Sequence, residues 1–125
     1  VIYFSINYNG FFKFHPKHKD DQYVLNLFNK DQESDKGIGQ KAVGKNCSQI
    51  INKLFSKSHK KFVYDSSWDV SNNKKFQNMF LDFCENVLEK NKISLDRWLD
   101  FRRENFKKNK SKLFLRNKDF LALKL

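Results

Sequence analysis

The sequence has few residues that interrupt regular secondary structure, with four glycines and one proline in 125 positions. Helices and strands should therefore account for most of the chain. No apolar run approaches the roughly 20 residues that a membrane-spanning helix requires. The apolar start, Val1 to Phe4, lacks the basic segment and the small-residue cleavage site of a signal peptide. These absences predict a protein without membrane association.

Cysteine and arginine are scarce as well. Cys47 and Cys84 are the only cysteines, and their spacing matches no metal site. We therefore expect two reduced thiols in a cytoplasmic protein that holds no metal or other cofactor. Only four of the 25 basic residues are arginine, the side chain best suited to bidentate recognition of phosphate.

What the chain has in abundance is lysine and phenylalanine. It is 39% hydrophobic with 14 phenylalanines, and its length fits one domain spanning residues 1–125. The formal net charge of +11 and the pI near 9.7 favour an acidic partner, namely nucleic acid, anionic lipid or an acidic protein. Lys, Asn, Phe and Ile all have AT-rich codons, so gene base composition can account for part of the lysine excess.

The strongest helical pattern covers residues 73–91, where apolar side chains recur every three or four positions and predict one buried stripe. The members of that stripe are Phe76, Met79, Phe80, Phe83, Cys84, Val87 and Leu88. A second helix should follow Ile93, with Ser94 as its N-cap and Trp98 on its inner face. The short link between these helices predicts antiparallel neighbours that supply the core.

Strands are predicted on both sides of this helix pair. Residues 2–6 and 11–15 form a β-hairpin in this interpretation, because an Asn-Gly turn signal lies between them. Helices at residues 20–28 and 41–55 and strands at 62–64 and 113–115 complete the pattern, and residues 120–125 form either a fifth strand or a final turn. The predicted fold is a small single α+β domain, in which an N-terminal β-hairpin and a short antiparallel or mixed sheet pack against three to four helices. A mostly helical bundle with one hairpin is the main alternative.

Two glycine-containing motifs overlap in the middle of the chain. Residues 39–46 fall one residue short of the phosphate-binding loop, because Asn46 stands where that loop has Ser or Thr. A turn that leads into a helix is the favoured interpretation. Residues 36–42 resemble the hairpin of the helix-hairpin-helix DNA-binding family. The resemblance implies that the backbone N–H groups of Gly37, Ile38 and Gly39 meet a phosphate.

The three histidines allow a catalytic hypothesis. His15, His18 and His59 could act together on one phosphate if the first and third strands were neighbours, because histidine titrates near neutral pH. Each of them lies in a run of lysines, however, and such a run more often marks a solvated basic edge.

The carboxylates include no metal-binding signature and no paired acid and base. Asp82 and Glu85 are interpreted as solubilising charges on the outer face of the main helix. Asp96 and Asp100 are predicted partners of Arg103 and of the positive end of the last helix.

The most plausible functional surface is basic and combines two segments of the chain. Its predicted residues are Lys57, His59, Lys60, Lys61, Arg102, Arg103, Lys107, Lys108, Lys110 and Lys112. Exposed aromatic side chains would favour nucleic acid, because bases stack on them. Tyr8, Phe11 and Phe101 are the expected ones, since the apolar patterns leave them off the core faces.

Three functional hypotheses follow from these patterns. The leading one is a non-catalytic protein that binds nucleic acid, or another acidic macromolecule, mainly through phosphate contacts. The alternative is an immunity or antitoxin-type protein that covers the active site of a cognate toxin. The third is a small basic nuclease toxin that uses the histidines. The sequence leaves the oligomeric state open.

Overall fold

The structure, a computed structural model, describes residues 1–125. The four α-helices are α1 (Asp21–Gln32), α2 (Cys47–Leu54), α3 (Lys74–Lys90) and α4 (Asp96–Lys107). The six strands are β1 (Ile2–Ile6), β2 (Phe12–His15), β3 (His59–Asp65), β4 (Trp68–Asp69), β5 (Lys112–Leu115) and β6 (Lys118–Lys124). A 3₁₀ turn, Gly44–Asn46, precedes α2. The predicted α+β class is confirmed.

The strands form two small antiparallel sheets with the orders β1-β6-β3 and β2-β5-β4. Because β1 runs on into β2, β3 into β4 and β5 into β6, the two sheets share three long strand paths. The β5–β6 path lies in the middle of both sheets. The predicted strand at 113–115 and the segment 120–125, expected as a strand or a final turn, thus correspond to the two halves of one central path.

Asn117 joins the three paths at the bend between the sheets and is only 2% exposed. Its side-chain oxygen accepts the backbone N–H of Tyr8 at 2.7 Å. Its backbone N–H donates to the Ser67 hydroxyl at 3.3 Å, and its carbonyl accepts the Ser66 N–H at 3.2 Å. A polar side chain is tolerated in this buried place because the bend leaves backbone groups without strand partners.

The predicted N-terminal hairpin is wrong, because β1 pairs with β6 and β2 pairs with β5. The Asn-Gly signal produces a bend along one sheet edge instead of a reversal. Tyr8 and Gly10 have φ values of 65° and 78°, and Asn9 N–H donates to the Arg116 carbonyl at 2.5 Å. Positive φ serves a bulged bend as well as a hairpin turn, so the local signal does not distinguish them.

The core lies between the β2-β5-β4 sheet and helices α1, α3 and α4. Phe12, Phe28 and Phe80 pack as three mutually touching rings with centroids 5.0–5.4 Å apart. Phe80 is buried as predicted, whereas Phe83 is 47% exposed, so the prediction that Phe83 is buried is wrong. The buried stripe of α3 is therefore rotated from the predicted one, so that it includes Gln77 and Leu81. Its other members are Phe80, Cys84, Val87 and Leu88.

Gln77 explains this rotation of α3. It is 2% exposed, and its side-chain N–H groups donate to the carbonyls of Val70 and Ser71 at 3.3 and 2.8 Å. The loop after β4 thus offers hydrogen-bond acceptors to one border of the helix. A polar residue whose side-chain N–H groups are bonded in this way can replace an apolar one on the inner face, although the side-chain oxygen of Gln77 has no hydrogen-bond partner.

The remaining differences from the predicted elements are shifts of boundary. The helix expected at 41–55 starts only at Cys47, and the strand expected at 62–64 extends over His59–Asp65. Trp68–Asp69 forms β4 where a loop was expected. None of the helices combines the length and the apolar composition that a membrane crossing requires.

Candidate nucleic-acid interface

Arg102 is a core residue, which corrects its prediction as part of a basic binding face. Its side chain is 1% exposed and donates to the Asp21 carboxylate at 2.5 Å and to the Pro16 carbonyl at 2.6 Å. The guanidinium lies over the rings of Phe14 and Phe101 at 5.0 and 5.1 Å. Burial lowers the pKa of Arg102, and Asp21 opposes that effect. Because Trp98 precedes it by one helical turn, Arg102 lies on the inner face of α4.

Arg103 is 35% exposed but is also engaged in ion pairs within the chain. It donates to Glu85 and, at 3.3 Å, to Asp82, so it links α4 to α3. The predicted partners of Arg103, Asp96 and Asp100, are therefore wrong, and Asp82 and Glu85 do more than solubilise their helix. The prediction failed because it assigned Arg103 partners within its own helix, α4. The partners of Arg103 in the structure lie on the neighbouring antiparallel helix, α3.

Lys108 has a partner within α4, since its ammonium lies 2.6 Å from the carboxylate of Glu104 one turn earlier. The other predicted basic residues occupy two separate ends of the strand paths. The Lys60 end consists of Lys57, His59, Lys60 and Lys61, and the Lys112 end of Lys107, Lys110 and Lys112. The basic residues were predicted to share one face, but the structure separates them into these two groups.

The distance between the two ends follows from the register of the strands. His59 pairs with Lys124 and His15 pairs with Lys112, so they are 12 positions apart along the β5–β6 path. At about 3.3 Å per residue this is a path length of roughly 40 Å, measured around the bend at Asn117. The hypothesis that His15 and His59 converge on one phosphate is therefore wrong. His18 packs on Phe101 with ring centroids 5.0 Å apart and accepts the Asp20 N–H at 3.1 Å.

The helices leave one side of the strand paths uncovered. Gln32 of α1 and Ile51 of α2 line one cavity together with Phe4, Ile6 and Tyr8, so both helices lie on the same side of the β1–β2 path. The side chains between these strand positions point the other way. We call this second side the outer face.

The outer face carries four cross-strand rows, of which the first two hold aromatic but no basic side chains and the last two hold Lys13, His15 and Lys112. From the Lys60 end to the Lys112 end, the rows are Tyr3–Leu121–Phe62, Ser5–Asp119–Tyr64, Lys13–Phe114–Asp69 and His15–Lys112. Tyr3 is 61% exposed, Tyr64 56% and Phe114 38%. The outer face is therefore open to solvent and rich in accessible rings.

Two basic side chains already lie against rings near this face. The Lys60 ammonium is 5.3 Å from the centre of the Phe62 ring, and the Arg116 guanidinium is 4.5 Å from that of Phe11. Such cation–π contacts hold a positive charge beside an aromatic surface. A ligand that combines flat rings with negative charges would meet both features together.

Two carboxylates lie on the same face, and each has internal hydrogen-bond donors. Asp119 accepts the Ser5 hydroxyl at 3.0 Å, and hydrogen bonding to this carboxylate raises the pKa of the Tyr3 hydroxyl. Asp69 accepts the hydroxyl and the backbone N–H of Ser71, and these bonds lower the pKa of Asp69. The positive charges of Lys13, Lys60 and Lys112 have no such partners.

The three aromatic residues predicted to be exposed, Tyr8, Phe11 and Phe101, are at least half-buried. The Tyr8 hydroxyl donates to Asn29 at 2.5 Å and its ring packs on Phe28, so this residue belongs to the inner side. Phe101 is half-buried between His18 and Arg102, and Phe11 is half-buried beneath Arg116.

The exposed aromatic residues could have been found from strand periodicity. Tyr3 and Ser5 alternate with three apolar residues in β1, and Phe62 and Tyr64 alternate with Lys61 and Val63 in β3. Period-2 alternation separates the two faces of a strand. Which face is inside depends on the position of α2, and the sequence does not fix that position.

The Gly37-Ile38-Gly39 turn binds a carboxylate of its own chain, that of Asp35. The Asp35 carboxylate accepts the backbone N–H groups of Gly37, Ile38 and Gly39 at 2.8, 3.0 and 3.1 Å. These bonds lower the pKa of Asp35. The expectation that the turn binds phosphate is therefore wrong, because its donors are already used. The chain before it is the end of α1 and not the buried strand that a phosphate-binding loop needs.

No group of three or more His, Cys, Asp or Glu side chains is arranged to hold a metal ion. Cys84 is fully buried, and burial raises the pKa of its thiol, so it is no accessible nucleophile. No protein-family model matches the chain, and no curated protein matches it. The outer face, with the lysines at its two ends, is the surface whose chemistry best fits a ligand.

Proposed function

We propose that the protein binds single-stranded nucleic acid, without catalysis, along the outer face between the Lys60 end and the Lys112 end. The observation that carries this proposal is the exposure of Tyr3 and Tyr64 beside Phe62 and unpaired lysines. Bases stack on such rings with about 1–3 kcal/mol each, whatever their sequence. Lysines contribute by neutralising phosphates and releasing counterions.

The single strand is preferred over the duplex for a geometric reason. The rings stand on a sheet surface, and a base reaches them only when it is not already stacked inside a duplex. The rows of rings lie between two groups of positive charge about 40 Å apart along the central path. A site of roughly 4–8 nucleotides would use both, which lies within the range of known single-strand modules.

The first experiment separates the phosphate contacts from the stacking contacts. Fluorescence anisotropy would measure the affinity for a labelled single-stranded oligonucleotide over a series of salt concentrations. The slope of log affinity against log salt is about −0.7 per neutralised phosphate. Changing Lys107, Lys110 and Lys112 together to Gln should therefore reduce that slope by about two units. A control with Lys30, Lys53 and Lys75 changed to Gln removes the same charge elsewhere and should change the slope much less.

The stacking contacts are tested by Tyr64→Ala. Loss of one stacked base should weaken binding by roughly 5-fold to 150-fold and leave the salt slope unchanged, because no phosphate contact is lost. Tyr23→Ala is the matched control, since Tyr23 is 48% exposed but lies on α1. Equal effects of the two substitutions, or preferential binding of duplex, would contradict the proposal.

Absence of any nucleic-acid binding at low salt would favour the alternative, an immunity or antitoxin-type protein that blocks a cognate toxin. A complex with such a partner survives nuclease treatment, whereas association through nucleic acid does not. The observation against the nuclease alternative is that His15 and His59 lie at opposite ends of the strand paths, so these two histidines do not act on one phosphate.

A further inference from the structure

A second surface with a different chemistry lies at the edge of the β2-β5-β4 sheet. A groove of about 320 Å³ separates strand β2 from the start of α1. Strand β2 is the outermost strand of its sheet, so one of its sides has no strand partner. The groove is lined by Phe11, Phe12, Lys13, Phe14, Lys17, His18, Lys19, Asp21, Gln22 and Leu25.

The backbone of β2 offers unpaired hydrogen-bonding groups to this groove. Arg116 N–H donates to the Phe11 carbonyl at 3.0 Å, so the polar groups of Phe11 point toward β5. In an antiparallel pair this direction alternates along the strand. The N–H and C=O groups of Phe12 and Phe14 therefore point away from β5, toward the open edge. Such an edge is a template for one more strand.

The side chains around the groove define what that added strand would carry. Phe12, Phe14 and Leu25 are buried and give the groove an apolar floor. Lys13, Lys17 and Lys19 are exposed on its rim and take part in no ion pair.

The acidic groups beside the groove do not cancel these lysines. The Asp21 carboxylate is bound by Arg102 and Trp98, at 2.5 and 2.8 Å. Asp20 lies 3.7 Å from the His18 ring. The rim thus carries the three unpaired ammonium groups of Lys13, Lys17 and Lys19. The one carboxylate beside them that no arginine or lysine neutralises is that of Asp20, so the rim is positive.

We propose that this groove binds a short extended segment of an acidic protein, which adds to β2 as a further strand. Alternate side chains of a strand point to opposite sides. The segment should therefore alternate apolar residues, directed to the floor, with Asp or Glu directed to the lysines. Two outward-facing residues of β2 match a segment of about four residues. This site goes beyond the proposed nucleic-acid interface, with which it shares strand β2 and Lys13 but not Lys17, Lys19 or α1.

The experiment uses the full chain and a defined probe, the terminally blocked peptide Glu-Val-Asp-Val-Glu-Val. Titration followed by NMR should shift the amide signals of Phe12 and Phe14, and their hydrogen exchange should slow at saturation. A peptide with Lys in place of Glu and Asp tests the charge requirement. A peptide N-methylated at two alternate positions lacks the donors for strand pairing and should bind at least about tenfold more weakly.

A variant of the protein tests the rim. Lys17→Gln combined with Lys19→Gln should weaken peptide binding by about threefold to tenfold, as expected for two exposed charge pairs. Neither residue lies in a strand of the outer face, so the salt slope for oligonucleotide should stay unchanged. Failure of this site is thereby distinguishable from failure of the nucleic-acid proposal.

Three results would overturn the inference. The first is no binding of the acidic peptide at millimolar concentration. The second is equal binding of the N-methylated or the lysine-containing peptide. The third is saturation without any change at the Phe12 and Phe14 amides, because the peptide would then lie elsewhere.

Discussion

The buried pair of Asp21 and Arg102 allows a sharp test of the structure, through the substitution Asp21→Asn. Asparagine keeps the size and shape of the side chain, removes its charge and replaces one acceptor oxygen with an NH2 donor. The two partners differ in access to water, because the Asp21 side chain is 27% exposed and that of Arg102 is 1% exposed. Loss of the carboxylate charge thus leaves a guanidinium that water does not reach.

The magnitude follows from this asymmetry. Breaking a buried pair by removing one charge costs about 3–5 kcal/mol, which is a large part of the roughly 5–15 kcal/mol of a domain this size. The midpoint of thermal unfolding should fall by about 10–20 °C. Arg102→Met should cost less, about 1–3 kcal/mol, because methionine retains packing against Phe14 and water can reach the remaining Asp21 carboxylate.

Urea unfolding followed by circular dichroism and tryptophan fluorescence would measure these free energies. The double variant should be about as stable as Arg102→Met alone, since Asp21→Asn then leaves no guanidinium behind. The two substitutions should therefore be non-additive by about the cost of Asp21→Asn alone, roughly 3–5 kcal/mol. A loss below about 1 kcal/mol for Asp21→Asn, or simple additivity, would refute the burial of Arg102.

Three further predictions concern the core, the thiols and the response to acid. Phe80→Ala should cost about 3–5 kcal/mol of stability through lost burial and a cavity. Phe83→Ala should cost less than about 1 kcal/mol, because Phe83 is half-exposed. Urea unfolding of both variants checks the rotation of α3, and equal losses would contradict it. A thiol reagent should modify Cys47 in the native protein and Cys84 only after unfolding, since Cys84 is fully buried and burial raises its pKa; early reaction of Cys84 would count against the core. Burial alone would raise the pKa of Asp31, but hydrogen bonds from two lysines outweigh it and lower the pKa. The stabilisation by Asp31 should thus be present above its unfolded-state pKa of about 3.9 and be lost as the pH falls through its lower folded-state pKa. Asp31→Asn should therefore flatten the acid side of the curve of stability against pH. An unchanged curve would show that the lysine contacts contribute nothing.

Local pattern was sufficient to predict most of the helices and strands, but not the way they pair. The stripe containing Phe80, Cys84 and Val87 identifies α3, because helical spacing is a property of the segment itself. The pairing of Ile2 with Ala122 depends on a segment at the other end of the sequence. No short-range signal reports such a partner, and the Asn9-Gly10 signal pointed to the wrong one.

The basic site shows a similar limit. Lys60 and Lys112 are exposed as expected of lysines next to polar residues. Arg102 lies in an equally charged stretch but is buried, because Trp98 and an acidic residue of α1 surround it. Charge along the chain shows how many cations there are, whereas only the packing of helices decides which of them reach solvent.

The central position of the β5–β6 path has a consequence for synthesis of the protein. Every other strand pairs with this path, yet it follows them all in the sequence, and Ile2 and Ala122 are 120 positions apart when they meet. At about 5–20 residues per second, a ribosome needs several seconds to make the residues between them. During that time β1 to β4 have no strand to pair with, and neither sheet can form. The nascent chain therefore spends its synthesis with open strand edges, the state in which chaperones protect other chains from aggregation.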